Sequence, residues 1–138
     1  MVVLTAFIPM LMDTGGNSGN QSSTLIIRGL AVGELTLKDV WKILWKEFRV
    51  SLIAAIILAS VNFAKNILFD KVGLMVAITV SLTVATTVIL AKMLGGTLPL
   101  LARKLKLDPA IMAGPIITTI VDALTLMAYF AIASTLLL

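Results

Sequence analysis

Asp122 is the side chain in this sequence best suited to ion chemistry. It lies near the middle of an apolar run that continues to the last residue. A carboxylate at the centre of a bilayer costs roughly 2.5 to 3.5 kcal/mol on insertion scales, so such a residue is by default a functional candidate. No basic residue stands mid-run to pair with it; Arg28, Lys65 and Lys92 fall near the ends of apolar runs. An unpaired carboxylate there suits a cation, the plainer role being a hydrogen bond to a neighbouring helix. Thr118 and Gly114 precede Asp122 by four and eight residues and so share its face of a helix. Pro115 cannot donate to the Ile111 carbonyl, which frees that acceptor and predicts a kink. The result is an oxygen-lined wall, although Gly114 and Thr118 also suit close helix packing. With no cysteine and no histidine in the chain, an ion could be held only by oxygen donors, which makes zinc, copper and iron–sulfur chemistry improbable.

The stretch from Asp13 to Thr24 supplies a second wall. Asp13, Asn17, Asn20 and Thr24 fall at offsets of four, seven and eleven along one helical face, while Gly15, Gly16 and Gly19 admit another backbone or a large hydrated ion. Twelve polar or small residues do not face lipid. The Gly-Gly-Asn-Ser-Gly-Asn run lacks the order and the Lys-Ser/Thr ending of a phosphate-binding loop. Asp13-Thr14-Gly15 has the triplet of aspartic proteases and could pair with Asp122, but three residues match easily by chance. Only an ion path uses the whole stretch.

The elements that must position these residues follow from composition. The 138 residues are 59% hydrophobic and 13% charged, against about 25% charged in a soluble domain. That supply covers about four spans of about 20 residues each and no second, soluble domain. An all-α membrane protein is expected, with helices over about 2–31, 50–69, 72–101 and 109–137. An amphipathic interfacial helix over about 37–49 carries Lys38, Lys42, Lys46 and Arg49, with Trp41 and Trp45 at headgroup level. Pro109 suits the first turn of the last helix. The N-terminus lacks the basic residues and cleavage site of a signal peptide.

Arg28, Lys38, Lys42, Lys46, Arg49, Lys92, Arg103, Lys104 and Lys106 make nine basic residues on one side, against Lys65 and Lys71 on the other. The positive-inside rule places the basic connections in the cytoplasm and both termini of the chain outside. An outward N-terminus on the first helix implies a preceding helix that is not in this chain.

The run from Pro9 to Ala31 resembles the signature helix of MgtE-type magnesium transporters. Gly95 to Leu101, Leu107-Asp108-Pro109-Ala110 and Gly114 to Asp122 are similar to that family too, so the resemblance covers essentially the whole chain. It matches the second to fifth membrane helices of the family, and the family's first helix and cytosolic regulatory domains have no counterpart here. The resemblance implies a homodimeric, channel-like transporter of the cell membrane, not an enzyme, whose pore lies on the two-fold axis between the second and fifth helices. It implies Asp122 as the pore carboxylate, with backbone carbonyls of Gly114 and Thr118 beside it. Gly16, Gly19 and Asn20 would face the pore from the other helix, with Asp13 and Asn17 also lining it, and Asp108 would stand at the cytoplasmic mouth. The cargo would be Mg2+ or another divalent cation, and the partners a second copy of the chain and the lipid bilayer, with no nucleic acid and no organic cofactor. Magnesium dehydrates reluctantly and is commonly held by few carboxylates, which suits a hydrated ion between two copies of Asp122. The competing readings are an intramembrane aspartyl protease using Asp13 and Asp122, and a non-transporting membrane subunit.

Overall fold

The computed structural model describes residues 2–138 and contains no strand among them. A short α1 (Val2–Thr5) leads into α2 (Ile8–Ala31), and a 3-10 turn (Leu37–Asp39) opens α3 (Val40–Leu68). α4 (Leu74–Lys104) follows, then a 3-10 turn (Pro109–Met112) and α5 (Pro115–Leu137). α4 is the centre: α2, α3 and α5 all pack against it, and α2 also packs on α5. Its buried face is built from residues small or branched enough for three neighbours to approach, among them Ala77, Val80, Val84, Val88, Ala91, Gly95 and Gly96. Phe7, Leu11, Ala55, Val80, Val84, Val88 and Tyr129 form the largest apolar cluster. The Tyr129 hydroxyl, otherwise stranded in that cluster, donates to the Leu4 carbonyl at 2.7 Å and pins the start of the chain to α5.

Three segments are long and apolar enough to cross a membrane: Leu37–Leu68, Leu74–Lys104 and Pro109–Leu137. The four expected spans therefore reduce to three on this measure. The exception is α2, whose 24 residues extend about 36 Å but carry the polar run at their centre. Gly15, Gly16, Ser18, Gly19, Ser22 and Ser23 are buried there, so the small and hydroxyl residues of α2 face other helices, while Asp13, Asn17 and Thr24 stand exposed. The outer face of α3 is the reverse, with Ile53, Ile56, Ile57 and Val61 more than half exposed and suited to lipid.

Two expected boundaries change. The interfacial segment 37–49 and the span 50–69 are one helix, because α3 runs unbroken from Val40 to Leu68; neither glycine nor proline interrupts it. The last helix does not run through from residue 109. Its polypeptide makes a 3-10 turn at Pro109–Met112, breaks at Ala113 and Gly114, and restarts at Pro115. Pro115 thus occupies the first helical turn, where its missing N–H costs nothing, and the expected kink over Ile111 is a helix start instead. Gly114 takes φ +62° and ψ −128°, a conformation open essentially to glycine alone.

Candidate ion site

The break at Gly114 sets the site. It aims the first turn of α5 at the polar middle of α2, and an open recess of about 290 Å3 lies between them. Met12, Asp13, Gly16, Asn17 and Asn20 line it from α2, Thr118 and Asp122 from α5. Asp13 and Asn17, one helical turn apart, are joined by an amide-to-carboxylate hydrogen bond of 3.2 Å and stand exposed. Asn20 ties the two helices together. Its amide N–H donates to the Gly16 carbonyl at 3.0 Å and to the Thr118 hydroxyl at 3.1 Å, and its oxygen accepts from the Gly114 N–H at 2.7 Å. One oxygen of Asp122, Oδ1, is buried with no hydrogen-bond partner.

Of the residues singled out in the sequence, Asp13, Gly16, Asn17, Asn20, Thr118 and Asp122 meet at this recess. Gly19 does not. A Cβ there would sit 3.2 Å from Ile117 Cγ1, 3.3 Å from Val121 Cγ2 and 3.5 Å from the Ala91 carbonyl, so Gly19 lets α2 close on α4 and α5. Gly15 does the same on that strip, against Thr87 and Val121. Thr24 is exposed on α2 beyond the recess. The Gly114 carbonyl accepts the Thr118 N–H at 3.0 Å, which leaves it one lone pair for anything else. Asp108 accepts from the Ala110 N–H at 3.0 Å and caps the 3-10 turn, its side chain otherwise in the open. Among the described residues no group of three or more carboxylates gathers anywhere. What the recess offers a cation is two carboxylates, two amides and a hydroxyl, a sparse set suited to an ion that keeps its water.

A family model described as "Divalent cation transporter", MgtE, matches residues 8–132. The chain belongs to the MgtE family. It is 36% identical over 137 residues to the magnesium transporter MgtE of Thermus thermophilus and 34% identical over 134 residues to that of Bacillus subtilis. These alignments take in 99% and 97% of this chain but 30% of each relative. The magnesium transporter MgtE of Enterococcus faecalis is 29% identical over 132 residues, 96% of this chain and 29% of the relative. The chain thus spans under a third of the length of these MgtE relatives.

Within this MgtE segment, four consecutive residues of α2 each bind a different neighbour. Asn20 holds α5, Gln21 accepts from the Lys92 ammonium of α4 at 3.0 Å, Ser22 donates to Glu47 of α3 at 2.7 Å, and Ser23 donates to the Met112 carbonyl. One turn of helix points in every direction, so one turn suffices to fix α2 against the whole bundle. Glu47 and Lys92 are each only 6% exposed, and neither stood out in the sequence as a buried charge. A signal was there: Glu47 lies on the strip Ile43, Glu47, Ser51, Ala55 and Lys92 on the strip Val84, Val88, Lys92, Gly96, each at spacing four through buried positions.

Asn20→Ala removes all three of its hydrogen bonds and strands the part-buried Gly114 N–H. The expected loss of stability is about 1–3 kcal/mol, read as a lower thermal midpoint in detergent. Thr118→Ala should add little once Asn20 is gone, because the two changes share a partner. Strict additivity would show that the Asn20–Thr118 bond carries no weight.

Proposed function

We propose that the protein passes hydrated Mg2+ across a membrane through a pore formed by two copies of the chain, with Asp122 as the selecting carboxylate. The observation that carries this reading is the buried, unpartnered Asp122 oxygen beside an open polar recess. A desolvated carboxylate oxygen without a partner is expensive, and a divalent cation reaching the recess offsets that cost. The exposed polar edge of α2, Asp13 and Asn17, is unsuited to lipid; a second copy facing it across a water-filled axis gives it a tolerable environment. In that arrangement α2 crosses the membrane as a fourth span, lining the pore with α5 and shielded from lipid by the apolar helices.

Two Asp122 side chains related by the two-fold axis then hold the ion through its water shell, assisted by Thr118, Asn17 and Asp13, with the second lone pair of the Gly114 carbonyl nearby. Selectivity arises from pore width and the placement of these oxygens. The basic connections face the cytoplasm of a cell membrane and both ends of the chain face outward. Asp108, at the inner mouth, adds negative charge to the exit. Transport is passive: the membrane potential contributes about 2.3 kcal/mol per charge per 100 mV, doubled for a divalent ion.

The protein reconstituted in liposomes should conduct Mg2+ inward under a negative internal potential, and cobalt(III) hexaammine, which does not exchange its ligands, should block that flux. Block by this inert mimic is specific to a pore that recognises the hydrated ion. Flux without block would mean that the ion sheds its waters. No flux would favour the non-transporting subunit, and peptide cleavage lost on replacing Asp13 or Asp122 would favour the protease.

A further inference from the structure

The junction between the end of α2 and the start of α3, at the basic end of the bundle, encloses a separate cavity of about 260 Å3. Four of its lining side chains are charged, two of each sign: Arg28, Glu34, Lys46 and Glu47. They do not neutralise one another. The one ion pair among the described residues joins Lys65 to Asp70 in the α3–α4 connection, where α3 ends. Of the four, only Glu47 has a hydrogen bond to another side chain, from Ser22. The cavity therefore presents two cationic and two anionic groups to a ligand carrying both charges, with Arg28, Glu34 and Lys46 free of side-chain partners and Glu47 holding only Ser22.

Its depth and size narrow the choice. Trp41 and Trp45 stand 79% and 59% exposed on the same stretch of α3, the placement of tryptophans at the membrane–water interface. The volume falls just below the roughly 300–1,000 Å3 of sites for drug-sized ligands, which suits a small polar group. Leu25 and Leu35 also line the cavity, and Leu25 is 55% exposed, so an apolar path leads from it towards the lipid.

We propose that this cavity binds the headgroup of a zwitterionic phospholipid bearing a primary amine. Arg28 and Lys46 take the phosphate, Arg28 through its planar fork. The ammonium donates to Glu34 and Glu47, and the glycerol and first acyl carbons follow Leu25. A choline headgroup has no N–H to give these carboxylates. An anionic lipid lacking an amine satisfies the two cations and leaves both carboxylates facing its phosphate. The inference requires α3 to cross the membrane but is independent of what passes through the pore.

The test is lipid binding by the full chain in detergent, measured by native mass spectrometry with phosphatidylethanolamine, phosphatidylcholine and phosphatidylglycerol of identical acyl chains. Phosphatidylethanolamine should bind about tenfold more tightly than phosphatidylcholine, the worth of one hydrogen bond between charged groups. Glu34→Gln, an exposed loop change that leaves the fold alone, should erase that preference. Arg28→Gln with Lys46→Gln should weaken all three lipids. Equal binding of the ethanolamine and choline lipids overturns the proposal, as does a preference that survives Glu34→Gln. Tightest binding of phosphatidylglycerol would reduce the site to a basic patch and also overturns it. Soluble glycerophosphoethanolamine added alone should bind far more weakly than the lipid; equal binding would assign the cavity to a soluble amine phosphate instead.

Discussion

Asp122→Ala should abolish magnesium flux and leave the bundle folded. Two unit charges 4 Å apart attract by about 4 kcal/mol at an effective dielectric of 20, and a divalent ion doubles that. Loss of even half of this from each subunit lowers ion occupancy by well over a hundredfold. The effect on folding has the opposite sign. The Oδ1 oxygen of Asp122 is buried with no hydrogen-bond partner, so the methyl group removes a desolvation cost and breaks no bond. The variant should therefore unfold at the same temperature as the parent or slightly higher. Asp122→Asn separates charge from shape: it keeps the side chain's volume and should conduct as poorly as the alanine variant. Flux from either variant within a few-fold of the parent, measured with a magnesium-sensitive dye in liposomes, would sink the pore-carboxylate assignment. A variant that neither conducts nor folds would mean that Asp122 is structural.

The helices were legible in the sequence because apolar runs and helix breakers are local signals. The recess was largely legible too, since Asp13 with Asn17 and Thr118 with Asp122 are one-turn pairs that any helix brings to one face. What spacing could not give was the rotation of α2 about its own axis. Gly16 and Gly19 are both small residues in one polar run, yet Gly16 opens on the recess and Gly19 on the α4–α5 interior. Only the neighbours decide which strip faces which way. The start of α5 was ambiguous for a different reason. Pro109 and Pro115 both suit a first helical turn, and the choice fell to Gly114, whose positive φ breaks the chain between them. Glu47 was hidden because a wheel drawn through Lys38, Lys42, Lys46 and Arg49 reads as a solvated face. Its burial depends on Gly96 of α4, where the missing side chain leaves space for the glutamate stem.

Gly95→Ala should be strongly destabilising. A Cβ at Gly95 would fall on the Gly19 carbonyl oxygen, 2.9 Å from Ser22 Cβ and 3.1 Å from the Ser23 N–H nitrogen. Two of these atoms are backbone and the third is bonded directly to it, so no rotamer change relieves the clash and α2 itself must move. Movement is resisted because residues 20–23 hold α5, α4, α3 and the turn before α5 at once. Alanine in place of glycine gains about 1 kcal/mol of helix propensity, while overpacking against fixed backbone costs typically 1–3 kcal/mol and more where nothing can give. The cost wins, and a net loss of about 2 kcal/mol or more is expected. Gly16→Ala is the control. Its new methyl meets Thr118 Cγ2 at 3.5 Å and Oγ1 at 3.8 Å, ordinary contact distances, so the propensity gain stands and stability should hold or rise. The two variants should also part in function. Gly95→Ala displaces α2, and with it Asp13 and Asn17, relative to Asp122, so flux falls together with the thermal midpoint. Gly16→Ala narrows the recess in a protein as stable as its parent, so flux falls alone. A Gly95→Ala protein as stable as the parent would show that α2 is free to shift, and that the polar turn at 20–23 does not fix the geometry of the site.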